Sequence, residues 1–98
     1  MKAGWRDKVK LQNYISGTFV EPDSGEWMND YSPATGEIIG KVPKSNGIDV
    51  DRAVKSAKEA LPYWSSLTHN QRADWLDKIA DCLELKYENI AYLESKDT

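Results

Sequence analysis

Cys82 is the only thiol in this 98-residue chain and His69 its only imidazole. Nucleophilic or general-base chemistry would run through one or both. Neither stands where that chemistry wants it. Cys82 lies inside an apolar-periodic stretch beside Asp81, with Glu84 close by, and neighbouring carboxylates oppose the thiolate that is the reactive form. An inert helix residue is the expectation. His69 follows Thr68 where a helix starts and reads as a surface residue of a capped end. The acidic pairs Asp49 with Asp51 and Asp77 with Asp81 lack a glycine-containing calcium loop and a histidine partner, so they read as solvated helix faces. Trp5, Trp27, Trp64 and Trp75 could stack sugars or bases. Trp64 follows Pro62-Tyr63 and Trp75 lies on an apolar stripe, so both are expected to fill space between elements. Trp27 remains as the candidate ligand-stacking ring. No Gly-x-Gly-x-x-Gly fingerprint, Gly-Lys-Ser/Thr phosphate loop or Gly-x-Ser-x-Gly elbow occurs in the sequence. One cysteine excludes an intrachain disulfide and a Cys-rich metal site.

The elements that would position these residues are legible as two kinds of segment. Leu11 to Ile15 and Thr18 to Val20 flank Ser16-Gly17, a two-residue hairpin connection. Glu21-Pro22-Asp23-Ser24-Gly25 is a loop of turn formers. Trp27 to Tyr31 and Glu37 to Val42 form a second pair around Pro33, suited to a type I turn, and Gly36, suited to a left-handed closing residue. Asn46 is a candidate N-cap with Asp49 at N3. The helix it starts is drawn from about Gly47 to Leu61, with Val50, Ala53, Val54, Ala57, Ala60 and Leu61 on one stripe and Pro62 as its stop. A capping box at Thr68-His69-Asn70-Gln71 opens a second helical stretch, continuous or broken near Lys86. Its apolar pattern runs to the last residues without a stop signal, which is the expectation for a fragment.

At this length the chain is one small domain with a thin core. The formal net charge of −3 gives no footprint for phosphate backbones, so nucleic acid is not an expected partner. No apolar run approaches the roughly 20 residues that cross a bilayer, so no membrane span is expected. Lys2, Arg6, Lys8 and Lys10 read as part of a flexible solvated tail over residues 1–10. A soluble, cytoplasmic protein in a reducing compartment fits this usage.

Asn13-Tyr14-Ile15-Ser16-Gly17, Ser32-Pro33-Ala34-Thr35-Gly36-Glu37-Ile38-Ile39, Val42-Pro43, Asp49-Val50-Asp51-Arg52-Ala53-Val54 and Trp64-Ser65 stand in an order that resembles the aldehyde dehydrogenase superfamily. The likeness continues through Ala80-Asp81 to Glu94-Ser95-Lys96-Asp97-Thr98. The resemblance implies that residues 11–98 are the N-terminal part of a coenzyme-binding domain. They would form an α+β piece, hairpins followed by two amphipathic helices, of a larger α/β Rossmann-like unit. It implies oxidation of an aldehyde to an acid through a cysteine thiohemiacetal, with hydride passing to NAD or NADP. The catalytic cysteine, general-base glutamate, oxyanion asparagine and coenzyme motifs of the family align with no residue here. No catalytic or cofactor-binding residue is therefore expected in this chain, nor tight coenzyme binding by it. The resemblance further implies an incomplete monovalent cation site from backbone oxygens of Asp30 and Tyr31 and from Asp97. An ordinary helix-terminal acid is the other reading of Asp97. Tyr31-Ser32-Pro33 and Glu94-Ser95-Lys96-Asp97 resemble most the members acting on muconic semialdehydes, with betaine-aldehyde-type members as the alternative. The implied partners are the remainder of such a chain and further copies in a homo-oligomer. The rival reading is a truncated isoform that serves as an interaction module for the full-length enzyme.

Overall fold

The structure is a computed structural model that describes residues 10–98, so Trp5 and the expected tail, apart from Lys10, lie outside the described residues. The chain order is β1 (Asn13–Ile15), β2 (Thr18–Val20), β3 (Trp27–Tyr31), β4 (Ile38–Pro43), α1 (Gly47–Ser66), α2 (His69–Leu85) and α3 (Tyr87–Asp97). This is the expected α+β arrangement, with the second helical stretch divided at Lys86. The strands form two separate antiparallel hairpins, β1–β2 and β3–β4.

Ser16 and Gly17 both take positive φ, 54° and 80°. That is the type I′ geometry whose twist matches its flanking strands. It sets Tyr14 opposite Phe19, and their rings meet edge-on at 5.0 Å. In the second hairpin the register shifts between Asp30 and Tyr31. Gly36, at φ 75°, closes the loop by donating its N–H to the Ser32 carbonyl at 2.8 Å. Residues before β1 are tied to this hairpin as well: Lys10 bridges Lys41 in parallel, and the Leu11 N–H donates to the Lys41 carbonyl at 2.9 Å.

The start of α1 is held more firmly than a local cap requires. Asn46 and Asp49 complete a capping box, and the Asp49 carboxylate also accepts from the Asp23 N–H at 2.9 Å. Asn46 Nδ2 donates to Asp23 Oδ2 at 3.1 Å, and Arg52 lies 3.6 Å from Asp23 Oδ1. Asp49 is only 3% exposed, so it is a buried acid satisfied by backbone donors from two segments. Asp49→Ala strands the Asp23 and Asn46 N–H groups, an expected loss of about 1–3 kcal/mol. Denaturant melts of a polypeptide containing this region measure it, with Asp49→Asn recovering part.

Pro62 does not stop α1; the helix runs on to Ser66. The proline removes one rung, since it lacks an N–H for the Lys58 carbonyl, but its φ is compatible with the helix. The turn after it is closed locally. The Ser66 hydroxyl donates to the Tyr63 carbonyl at 2.6 Å, and the Leu67 N–H to that of Trp64 at 3.2 Å. At α2, the Gln71 N–H reaches Thr68 Oγ1 at 3.2 Å and the Thr68 N–H reaches Gln71 Oε1 at 2.9 Å. Thr68→Ala is expected to speed amide exchange at Gln71 about fivefold, a cap of about 1 kcal/mol, with Thr68→Ser restoring protection.

The thin core expected from the sequence is absent among the described residues. Those buried are Pro22, Ser32, Gly40 and Asp49, and no large apolar side chain joins them. The reason is geometric: α1 meets β1, but no helix packs extensively on another. The radius of gyration is 16.8 Å, against about 13 Å for a compact chain of this length. No helix among the described residues is long and apolar enough to cross a membrane.

Candidate functional site

The best-formed concavity lies between β4 and α3, a cleft of about 450 Å³. Leu11, Ile39, Val42, Ile90 and Leu93 give it apolar walls, and Asp30 and Asp97 line it too. Asp30 sits at the bulged end of β3 and Asp97 is the last residue of α3, so hairpin and helix together bring these two acids into contact. Burial pushes the half-buried Asp30 carboxyl above the usual carboxylate range, helped by a hydrogen bond with the Asp97 side chain and by the charge of Asp97.

The Tyr31 ring is not part of this contact. It is 54% exposed, and its hydroxyl accepts from Asn29 Nδ2 at 3.3 Å. What Tyr31 can offer the cleft side is its backbone at the register shift. Among the described residues no cluster of three or more His, Cys, Asp or Glu side chains could hold a metal ion. Carboxylate and carbonyl oxygens are hard donors, of the kind that suits hard cations better than soft ones.

The other sequence candidates lie elsewhere. Cys82 is exposed on α2 and does not line the cleft. His69 is the first residue of α2, and its Nδ1 accepts from Arg72 Nη2 at 2.9 Å, because an arginine can only donate. Arg72 also bonds the Leu67 carbonyl, so imidazole and guanidinium together finish the α1–α2 corner. Trp27 is occupied by its own chain. Its Nε1–H donates to the Leu11 carbonyl at 2.7 Å, and Lys10 Nζ stands 3.7 Å from the ring centroid. The ring pins residues 10–11 onto the hairpin and so helps build the cleft wall. Trp64 and Trp75 do not fill space between elements as expected; they are 37% and 43% exposed, because the helices stand apart.

Asp23 is the residue the sequence hides. It reads as one turn former among five, yet it joins the loop to Asp49, Asn46 and Arg52. The only signal was its acid type beside a proline.

This framework is one found in known proteins. The chain is 41% identical to mouse 2-aminomuconic semialdehyde dehydrogenase over 95 residues, 97% of this chain and 19% of that protein. It superposes on a solved NAD-dependent aldehyde dehydrogenase from Sinorhizobium meliloti with a TM-score of 0.85 at 28% identity, covering 97% of this chain and 20% of that one. On PnpE, solved in complex with nicotinamide adenine dinucleotide, the TM-score is 0.82 at 40% identity, covering 88% of this chain and 18% of the other. The chain thus spans about a fifth of the length of these relatives. The aldehyde dehydrogenase family model matches residues 19–98, and on that match the chain belongs to the aldehyde dehydrogenase family.

Proposed function

We propose that this chain is the N-terminal scaffold of the coenzyme domain in an NAD-dependent aldehyde dehydrogenase, one that oxidises a semialdehyde of the muconic type to its carboxylic acid. The observation that carries this is the family match over residues 19–98, joined to a fold that overlaps about a fifth of much longer enzymes. In the whole protein a cysteine thiolate adds to the aldehyde carbon, hydride leaves that carbon, and water releases the acid and frees the thiol. NAD supplies the hydride acceptor. The residues described here hold and shape; none is a nucleophile aimed into a site.

Asp97 and the backbone oxygens of Asp30 and Tyr31 would hold a monovalent cation, whose charge would be set against two neighbouring acids. Its chemistry is structural: it fastens the end of α3 to the bulge of β3. The same reading carries a cytoplasmic homo-oligomer, supported by the lone, exposed cysteine and by membership of the family.

The test is to capture the native polypeptide from its source with an antibody raised against this chain, weigh it, and assay it with NAD and a panel of aldehydes. A polypeptide about five times longer that forms NADH fastest with a muconic-type semialdehyde is the expected result. A longer polypeptide with no aldehyde-dependent NADH formation refutes the reading.

A further inference from the structure

Helix α1 is inside out within this chain. The side chains it turns toward the hairpins are polar: Asp49 on Asp23, Arg52 on Asp23, and the Ser56 hydroxyl, which accepts from Ser16 at 2.8 Å. Its apolar residues Val50, Val54 and Leu61 cluster some 140° around the helix, at about 100° per residue, and are 58%, 46% and 57% exposed. The charged residues Asp51, Lys55 and Lys58 fall on a third side, so the apolar stripe is not the helix's solvent face. Helix α2 also carries an exposed apolar stripe, with Leu76, Ile79 and Leu83 at 54% to 59% exposure. Scattered exposed leucines need no explanation, but two stripes at core spacing do.

The area is large as well. The chain exposes 7754 Å², where a compact protein of this mass exposes about 5,700 Å².

We infer that the apolar stripes of α1 and α2 form a docking surface for the complementary four-fifths of an aldehyde dehydrogenase polypeptide, and that the two pieces associate even when supplied as separate chains. The inference rests on the scaffold reading above, and its occupant follows from length: relatives matched over nearly the whole of this chain have about five times as many residues. An apolar, uncharged stripe suits permanent burial inside such a protein and not a transient partner.

The test mixes this chain with a mouse 2-aminomuconic semialdehyde dehydrogenase polypeptide lacking the region it matches, and reads size-exclusion chromatography with light scattering. A one-to-one complex is expected. Val54→Glu and Ile79→Glu each should weaken it about tenfold or more, because a carboxylate would be buried unpaired. Both positions are exposed, so far-UV circular dichroism of the free variants should match the parent. Elution of the chain by itself, its pairing with a second copy in preference to the longer piece, or unchanged binding by both variants would overturn the inference. A complex that forms but makes no NADH leaves docking standing and counts against the functional reading alone.

Discussion

Given NAD and an aldehyde, the isolated 98-residue chain is expected to form no NADH above the rate measured without protein. Three physical needs of the reaction decide this. A nucleophilic thiol must be held as thiolate near the substrate, and Cys82 is exposed on α2 away from the cleft, with Asp81 and Glu84 beside it in sequence. The oxyanion that follows attack must meet preorganised donors. At the openings of α1 and α2, the N–H groups of Ile48, Asp49 and Gln71 are already bonded to the Asn46 and Thr68 side chains. The nicotinamide must be held against the reacting carbon, and no Gly-rich dinucleotide turn is present in the sequence. Losing one oxyanion donor alone costs about 10²- to 10³-fold. The companion experiment is Cys82→Ser in the longer polypeptide, which should keep full aldehyde-dependent NADH formation. Activity of the short chain, abolished by Cys82→Ser, would contradict the argument at its first step.

How much of this was readable in the sequence depended on the distance between partners. Ser16-Gly17, the Asn46–Asp49 box and the Thr68–Gln71 box were all legible because each is settled within four residues by turn or cap chemistry. The break at Lys86 was legible only as one of two options, a continuous helix being the other. Pro62 was misleading for a physical reason: loss of one rung does not end a helix whose next turn can close on itself. Longer reach was invisible. Nothing in Glu21-Pro22-Asp23-Ser24-Gly25 distinguishes Asp23, whose role exists only once the loop folds back over the start of α1. The contact of Asp30 with Asp97 likewise needs both β3 and α3 in place, and the residues themselves gave no sign of it; only the family resemblance singled them out. Trp75 was read as space-filling because it lies on an apolar stripe, and Trp64 because it follows Pro62-Tyr63 directly after a helix. The spacing was informative about the helix and silent about whether the partner surface lies in this chain.

That silence leads to the second large effect. Heated by itself, the chain should lose helical circular dichroism gradually, without a sharp transition, and should bind a hydrophobic dye strongly at room temperature. Ordering each residue costs about 1–2 kcal/mol of backbone entropy, and apolar burial is the main term that offsets it. Among the described residues no large apolar side chain is buried, so that term is small. The caps and hairpin bonds remain, but each contributes only about 0.5–1.5 kcal/mol net, and they act within single elements. Cooperativity requires that loss of one element weaken its neighbours. Here the Asp49 network couples α1 to the hairpins and the Asp30–Asp97 contact ties the end of α3 to β3, while α2 hangs between short corners. The expected order of melting is therefore α2 first, with amide protection persisting longest around Asn46 to Asp49. Joined to the longer piece, the same helices should melt together in one steep transition, as Val54 and Ile79 become core. A sharp, single transition from a monodisperse monomer of this chain would show that it makes a core of its own.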